Sequence, residues 1–416
     1  MGEFVLKNRD YLLLFIGGLI SNLGTHMYNF AISLYILSIT KSPGIQGLYL
    51  ATGGVVFFAV SIFSGALVDQ MDKTKVVYVT DFIGGITVLI ATYFIYLDIS
   101  LTVTLITLFS TSVVLGFNSA MFNPAASSLP AHILEDDQMQ QNSSLRMGMF
   151  ALYGILGVVF GGLMYDLLQI EYLMLVNAIS FLLSSFSEFF IKTKTITERI
   201  KLSVKETLVK VKEGLNYLYQ LKPIFYMVSF ASLVNFFTIP VISNGSPYLF
   251  EIVLQKPAIY LSVISGVFPV GIMITSIYLG TKPQAEKISR QLFFGFRGMA
   301  VLFAIFTVNV FLIVNGLIPF NVFIIVTSLT MLIMGIVNGF INVPFNTAIM
   351  ITVDKSMMGR TFSVITIISN GLTPIALALG GFVIQWFGLM ILFYVAMAAI
   401  LVSGYVITHN KYIKQL

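Results

Sequence analysis

The chain has 416 residues, 57% of them hydrophobic and 10% charged, with a formal net charge of +5 and no cysteine. Soluble domains carry about 25% charged residues, so this composition points to a protein embedded in lipid and away from a soluble enzyme or a nucleic-acid module. Disulfides and thiolate metal sites are excluded, and the three histidines, His26, His132 and His409, are too dispersed to suggest a ligand motif, so no metal or cofactor is expected.

Apolar runs of about 20 residues, enough to cross the hydrocarbon as a helix, recur along almost the whole chain. They lack the period-2 alternation of a barrel strand, and only helices or closed barrels satisfy the backbone in lipid. The expected class is therefore an all-α polytopic membrane protein of twelve spans. The first run, Tyr11 to Leu37, follows Lys7 and Arg9 without a small-residue cleavage pattern and is read as a retained span. Spans are expected near 11–37, 45–68, 76–97, 101–131, 143–168 and 172–191, then near 223–250, 258–280, 289–314, 319–351, 358–386 and 388–408. This divides the chain into a six-helix bundle at 1–191, a polar linker at 192–222 and a second bundle at 223–416. With a cytoplasmic N-terminus, only Lys41 and Lys256 of the 23 Lys and Arg residues fall outside, so both termini are expected in the cytoplasm.

Within the linker, Val204, Leu208, Val211 and Leu215 have helical spacing against a face rich in lysine. That pattern fits a helix lying on the cytoplasmic leaflet or a solvated connector. The halves echo each other at an offset of about 215 to 220 residues. Lys41 and Pro43 match Lys256 and Pro257, Gly65 matches Gly280, Asn118 and Pro124 match Asn338 and Pro344, and Gly161-Gly162 matches Gly380-Gly381.

The loop after span 2 reads GALVDQMDKTKVVYVTD and carries Gly65, Leu67, Asp69, Asp72, Lys73, Lys75 and Asp81. It resembles the major facilitator signature G-x-L-x-D-[RK]-x-[GD]-[RK]-x-[RK] in the loop where that signature is diagnostic. The Asp at 72 and the further Asp entering span 3 resemble the macrolide-efflux branch of drug:proton antiporters. So do FNPAASSLPAHILEDDQM, KEGLNYLYQLKPIF and GRTFSVI. The resemblance covers essentially the whole chain. It implies the major facilitator fold, with two parallel six-helix repeats, a substrate site between the halves lined by spans 1, 4, 7 and 10, and usually a working monomer. It also implies that Asp69 lies against the N-terminus of span 11, where helix-end amides favour an anion. Gly65 is expected to allow close helix approach, and Lys73 and Lys75 to pair with Asp72 and Asp81. Together these residues read as a conformational latch, or as a charged loop that fixes topology only.

Two departures from the family pattern follow. Span 4 has no basic residue, and Leu115 or a near neighbour stands where related exporters carry Arg. In span 5, GILGVVFGGLMYD resembles the antiporter motif G-P-x-x-G-G with Val158 in place of proline. Gly157, Gly161 and Gly162 fit either antiport or close helix packing.

On the expected cavity helices, Asn22, His26, Asn29 and Ser33 fall within roughly a 60° arc of span 1. Asn338, Asn342 and Asn346 follow i, i+4, i+8 spacing on span 10. Asn235 and Asn244 flank Pro240, which loosens span 7, and span 4 adds Asn118 and Asn123. Amides left unpaired in hydrocarbon cost several kcal/mol, so these residues bond between helices or line a neutral, amide-rich substrate pocket. Met27, Tyr28, Phe30, Phe236, Phe237, Phe340 and Phe345 are candidate apolar walls. No deep Lys or Arg is apparent, which favours neutral or cationic cargo. The remaining acids read as mostly peripheral: Asp166 and Glu251 near the outer face, Glu188 within one turn of Lys192, and Asp81 near the cytoplasmic end of span 3. His26, about 24 Å along span 1, is the deep titratable candidate for proton coupling, or a neutral hydrogen-bonding residue, with Asp81 as the other coupling candidate.

The expected function is secondary active export of small amphipathic organic compounds, macrolide-like drugs included, across the plasma membrane, with protons as the coupling ion. One proton moving down about 100 mV and about one pH unit supplies roughly 3.7 kcal/mol, enough for a gradient of several hundred-fold. The alternatives are export of a native metabolite such as a siderophore or metallophore, and a lipid flippase. No nucleic-acid partner and no enzymatic motif is visible.

Overall fold

A computed structural model of the chain describes residues 4–193, 204–281, 288–354 and 357–415. Lys194, Arg199 and Lys201 of the linker lie outside the described residues, as do the side chains of Val204, Lys205, Leu208 and Lys210. The secondary structure among the described residues is helical, without strands.

The first six long helices are α1 (Arg9–Thr40), α2 (Pro43–Asp69), α3 (Lys73–Tyr96), α4 (Leu101–Ser128), α5 (Met139–Leu167) and α6 (Ile170–Phe189). A linker helix, α7 (Val204–Gln220), leads to α8 (Lys222–Pro240), α9 (Ala258–Gly280), α10 (Ile288–Val314), α11 (Phe320–Thr352), α12 (Met358–Asn370), α13 (Thr373–Phe387) and α14 (Leu389–His409). Eleven of the resulting segments are long and apolar enough to cross a membrane. The twelfth is the 32-residue α1, which carries the polar stretch Ser21 to Asn29.

Start signals are local. Asp72 accepts the Thr74 backbone N–H at 3.1 Å at the start of α3, and Ser100 accepts that of Val103 at 3.3 Å at the start of α4. Two expected spans are interrupted where proline removes a donor. Beyond Pro240 the chain widens into π-turns at Val241–Gly245 and Leu249–Val253, separated by one turn containing Pro247. Span 11 is two helices, because Gly371 and Leu372 break the helix just before Thr373 and Pro374 open α13.

The chain divides into two compact units, Met1–Thr40 with Tyr49–Val204, and Lys41–Leu48 with Lys205–Leu416. In the first, α6 packs on α1 and α3, and α1 also packs on α5. In the second, α11 packs on α9 and α10, and α14 packs on α10 and α8. The opening of α2 belongs to this second unit: Gln385 accepts hydrogen bonds from the Ser42 hydroxyl at 2.9 Å and the Gly44 N–H at 3.1 Å.

The linker helix is docked on the second unit. Gly214 sits over the Arg360 carbonyl, Leu218 is fully buried with Val364 and Ile365, and Val211 packs on the same cluster. Glu213 pairs with Arg360 at 2.9 Å, and Tyr217 donates to Asp354 at 3.0 Å. Leu215, on the apolar stripe with Val211, is 42% exposed. The docking face runs through Val211, Gly214 and Leu218, with Gly214 against the Val364 side chain and the Arg360 carbonyl of α12.

Each unit has a backbone-to-backbone helix crossing built from glycines. A Cβ on Gly116 would lie 2.6 Å from the Gly53 carbonyl, and one on Gly335 would collide with the Phe268 carbonyl and lie 3.1 Å from the Gly271 Cα. These pairs recur at offsets of 218 and 219 residues, the register of the internal repeat. Gly65 is different: a Cβ there meets nothing within 4 Å, so the close approach expected at Gly65 is not present. Gly335→Val is expected to cost about 1–3 kcal/mol through a clash with backbone that cannot yield, whereas Gly65→Ala stays near wild type. Thermal unfolding of the two purified variants in detergent checks this.

Candidate functional site

In the first unit a cavity of about 300 Å³ is lined by α1, α4 and α5. Its polar wall comprises Tyr11, Asn22, Asn123, Asn142, Arg146 and Tyr153. Asn22 spends one amide proton on the Gly18 carbonyl at 2.7 Å, and the Tyr11 hydroxyl donates to Asn142 at 3.0 Å. Arg146 is held by the Ser127 hydroxyl at 3.1 Å and the Ser127 carbonyl at 3.4 Å. The cavity wall thus carries a guanidinium, that of exposed Arg146 two turns into α5, inside the span expected at 143–168.

The stripe of span 1 is split in the fold. Asn22 lines the cavity, while the His26 ring lies on Tyr153 with centroids 4.9 Å apart. Gly157 receives the His26 Cβ, 2.5 Å from where its own Cβ would stand, and Gly161 packs on the Met27 backbone. Close packing on α1 thus accounts for these two glycines of the motif. Asn29 is exposed and Ser33 buried. Asn118 is buried against α3, donating to the Thr80 carbonyl at 3.1 Å, so it ties helices together away from the cavity wall.

In the second unit a cavity of about 320 Å³ is lined by α8, its π-turns, α9, α10 and α11. Asn235, Thr238, Ser243, Ser246, Ser265, Thr327 and Asn338 supply its polar groups, and Phe268, Phe306, Phe323, Met299, Met331 and Met334 supply its walls. The expected walls are corrected here: Phe236 and Phe237 pack edge to face on each other, and Phe340 packs on Phe294. The aromatic lining comes instead from Phe250 at the end of span 7 and from spans 8, 9 and 10. Asn244 is fully buried beside Gly47 at the π-turn and does not line the cavity. Along α11, the Asn342 amide donates to the Asn338 side-chain oxygen at 2.6 Å, and the Asn346 amide donates to the Asn342 carbonyl at 2.9 Å. Asn338, Asn342 and Asn346 therefore form one amide ladder whose first member reaches the cavity.

The loop signature is organised locally. Lys73 is buried and pairs with exposed Asp69 at 3.7 Å, Asp72 caps α3, and Lys75 is exposed. Asp81 faces Ser21 and Ser184 in place of the expected lysine partner. Glu188, expected at the periphery beside Lys192, is fully buried against Gly17 and accepts from Ser184 at 3.3 Å.

Two bundles of membrane-length helices, each enclosing a small-molecule-sized cavity, define a polytopic transporter class. The family model of the Major Facilitator Superfamily matches residues 14–378, and the chain belongs to that family. It is a multi-pass membrane transporter and not an enzyme. Its relatives include the uncharacterized MFS-type transporter YfiS of Bacillus subtilis (22% identical over 95% of this chain and 92% of that one). Another is macrolide efflux protein A of Streptococcus pyogenes, 20% identical over 87% of this chain and 86% of that one. The match to YkuC of Bacillus subtilis, at 27% identity, spans 52% of this chain and only about half of that protein, 51%. Among solved structures, a bacterial homologue of the iron transporter ferroportin in an inward-facing state superposes with a TM-score of 0.78. It is 14% identical over 98% of this chain and 99% of that one, a likeness of fold.

Because the chain has no cysteine, single substitutions report accessibility directly. Asn22→Cys and Asn338→Cys are expected to react with a hydrophilic maleimide, whereas Asn118→Cys and Asn244→Cys stay unlabelled until the protein is denatured. Mass spectrometry of the labelled chains reads the outcome.

Proposed function

We propose that this protein is a secondary active exporter of small amphipathic organic compounds, working by alternating access and driven by protons at the plasma membrane. The observation that carries the reading is the cavity of the second unit. At about 320 Å³ it falls in the range of small-molecule pockets, and its lining has amide and hydroxyl groups, polarizable Met and Phe walls, and no charged side chain. Such walls repack around differently shaped apolar rings, while Asn235 and Asn338 offer donors and acceptors to neutral polar substituents. The relatives named as macrolide efflux proteins support both the direction and the kind of cargo. The latch residues Gly65, Asp69, Asp72, Lys73 and Lys75 belong to this reading as the conformational control, and His26 and Asp81 as its titratable groups. The protein is proposed to act as a monomer.

Arg146 favours a second reading, in which the cargo is an amphipathic anion such as a metallophore, with the guanidinium taking its carboxylate.

The test is a compound screen in a drug-hypersensitive host, followed by counterflow in proteoliposomes at varied pH. Asn338→Ala and Asn235→Ala are each expected to weaken cargo binding by about 5- to 30-fold, as loss of one buried hydrogen bond does. An unchanged susceptibility profile on expression, together with no counterflow for any hit, sinks the exporter reading. Arg146→Gln impairing only anionic cargo selects the second reading.

A further inference from the structure

The first unit holds a second polar centre, away from its cavity, where α1, α3 and α6 meet. Asp81 of α3 is 4% exposed and Glu188 of α6 is fully buried. One serine, Ser184, serves both: its hydroxyl lies 3.3 Å from Glu188 Oε1 and within hydrogen-bonding reach of Asp81, which Ser21 of α1 also approaches. Gly17 presses the remaining side, since a Cβ there would lie 3.2 Å from the Glu188 carboxyl. Asp81 Oδ2 and Glu188 Oε2 are buried with no hydrogen-bond partner among the described residues.

The charges on the surrounding elements are committed elsewhere. On α3, Lys73 lies two turns before Asp81 and pairs with Asp69, and Lys75 is exposed. On α1, the Asp10 carboxylate accepts from the Lys192 and Thr193 N–H groups and the Thr193 hydroxyl, Tyr11 bonds Asn142, and His26 lies on Tyr153. Arg9 stands at the head of α1, two helical turns before Gly17, and Glu171 at the opposite end of α6 from Glu188. Helix α4 has no titratable residue, and Arg146 of α5 is held by Ser127. No cation among the described residues faces the pair. Two ionised carboxylates sharing one hydroxyl in such a place would be neither solvated nor neutralised.

We propose that Asp81 and Glu188 form a proton-binding site that holds an exchangeable proton at neutral pH. One carboxyl carries the proton as O–H while the other stays ionised, so the pair holds one negative charge in place of two. On release the proton leaves to water and two carboxylates remain. On uptake a single proton from water restores the acid–carboxylate pair. Ser184 and Ser21 are positioning residues that hold the carboxyls in register. The site is independent of cargo; its coupling to flux rests on the exporter reading above.

The test uses the full-length protein in nanodiscs and infrared spectroscopy without any cargo. At neutral pH exposed Asp and Glu, with pKa values of about 4, are ionised, so a C=O stretching band of a protonated carboxylic acid marks a special pair. Wild type is expected to show that band. Asp81→Asn/Glu188→Gln is expected to lose it, and Ser184→Ala, which keeps both carboxyls and so covers the case of a misfolded double variant, shifts its frequency. Absence of the band in wild type, or its persistence in the double variant together with no shift in Ser184→Ala, overturns the proposal. In proteoliposomes with a pH gradient, the double variant is expected to lose concentrative flux, so that the accumulation ratio falls to about one while cargo exchange persists. Band loss with unchanged gradient-driven flux overturns the coupling role. A wild-type band with no flux of any cargo upholds the proton site and sinks the exporter reading instead.

Discussion

Hydrocarbon offers no hydrogen-bond partner, so the polar side chains of α6 turn to partners inside the bundle, and that requirement organises the first unit. Ser185 donates to the Tyr78 carbonyl of α3 at 2.8 Å, and Ser187 donates to the Leu13 carbonyl of α1 at 3.1 Å. Asp10 then closes the same end by accepting from the backbone that follows α6, at 3.0 and 2.9 Å. Helix α1 meets this seam with glycine. Gly17 faces Ser184 and Glu188 closely, and Gly24 faces Ser180 and Asn177 with no room for a Cβ. The seam fixes the rotation of α1, and the rotation decides what its other faces do.

With Gly17, Ser21 and Gly24 committed to α6, His26 and Met27 fall against the glycines of α5, and Asn22 falls on the cavity. A stripe that looks like one functional surface on an isolated helix becomes three contacts with three neighbours. The polar residues of span 1 are thus divided among jobs: Ser21 at the carboxyl pair, Asn22 at the cavity, and His26 in a packed ring contact whose neighbour Tyr153 lines that cavity.

Much of the architecture was legible in the sequence because lipid imposes a strong pattern. Span lengths, the proline-weakened span 7 and the repeat register all follow from hydropathy and from Gly, Pro and Asn positions, and the amide ladder of α11 follows from simple i, i+4 spacing. The carboxyl pair was not legible. Each acid sits near a span end with lysines close in sequence, Lys73 and Lys75 before Asp81 and Lys192 after Glu188, and a one-dimensional reading assigns such acids to the membrane surface. Only the packing of α1, α3 and α6 turns them inward together. Arg146 escaped for the converse reason, because its placement on a cavity wall depends on how α5 lies against α1 and α4, which no local period encodes. The cavity walls of the second unit were likewise hidden, since Phe268, Phe306 and Phe323 come from three helices and none is adjacent to the asparagines in sequence.

The two units share a skeleton and differ in chemistry, and this asymmetry follows from where the repeat was free to diverge. The glycine crossings Gly53–Gly116 and Gly271–Gly335 are held in register because backbone contact leaves no alternative residue. Side chains above that skeleton are not so bound. At the repeat offset from Asp81 and Glu188 the second unit has no acidic residue: the windows 296–301 and 403–408 read FRGMAV and SGYVIT. There the corresponding interior is filled by apolar packing, with Ile407 fully buried among Leu292, Phe296 and Ile349. The first unit therefore buries a pair of carboxyls, and the second holds a cavity lined by neutral side chains with a π-turn beside it. On the proposed reading, a transporter that loads both a proton and an apolar molecule gains from this separation. A carboxyl pair buried among serines and glycines needs tight, invariant packing to control its charge, whereas a cavity that accepts varied shapes needs walls of Met and Phe that can move. One bundle cannot easily provide both, and two bundles built on one skeleton can.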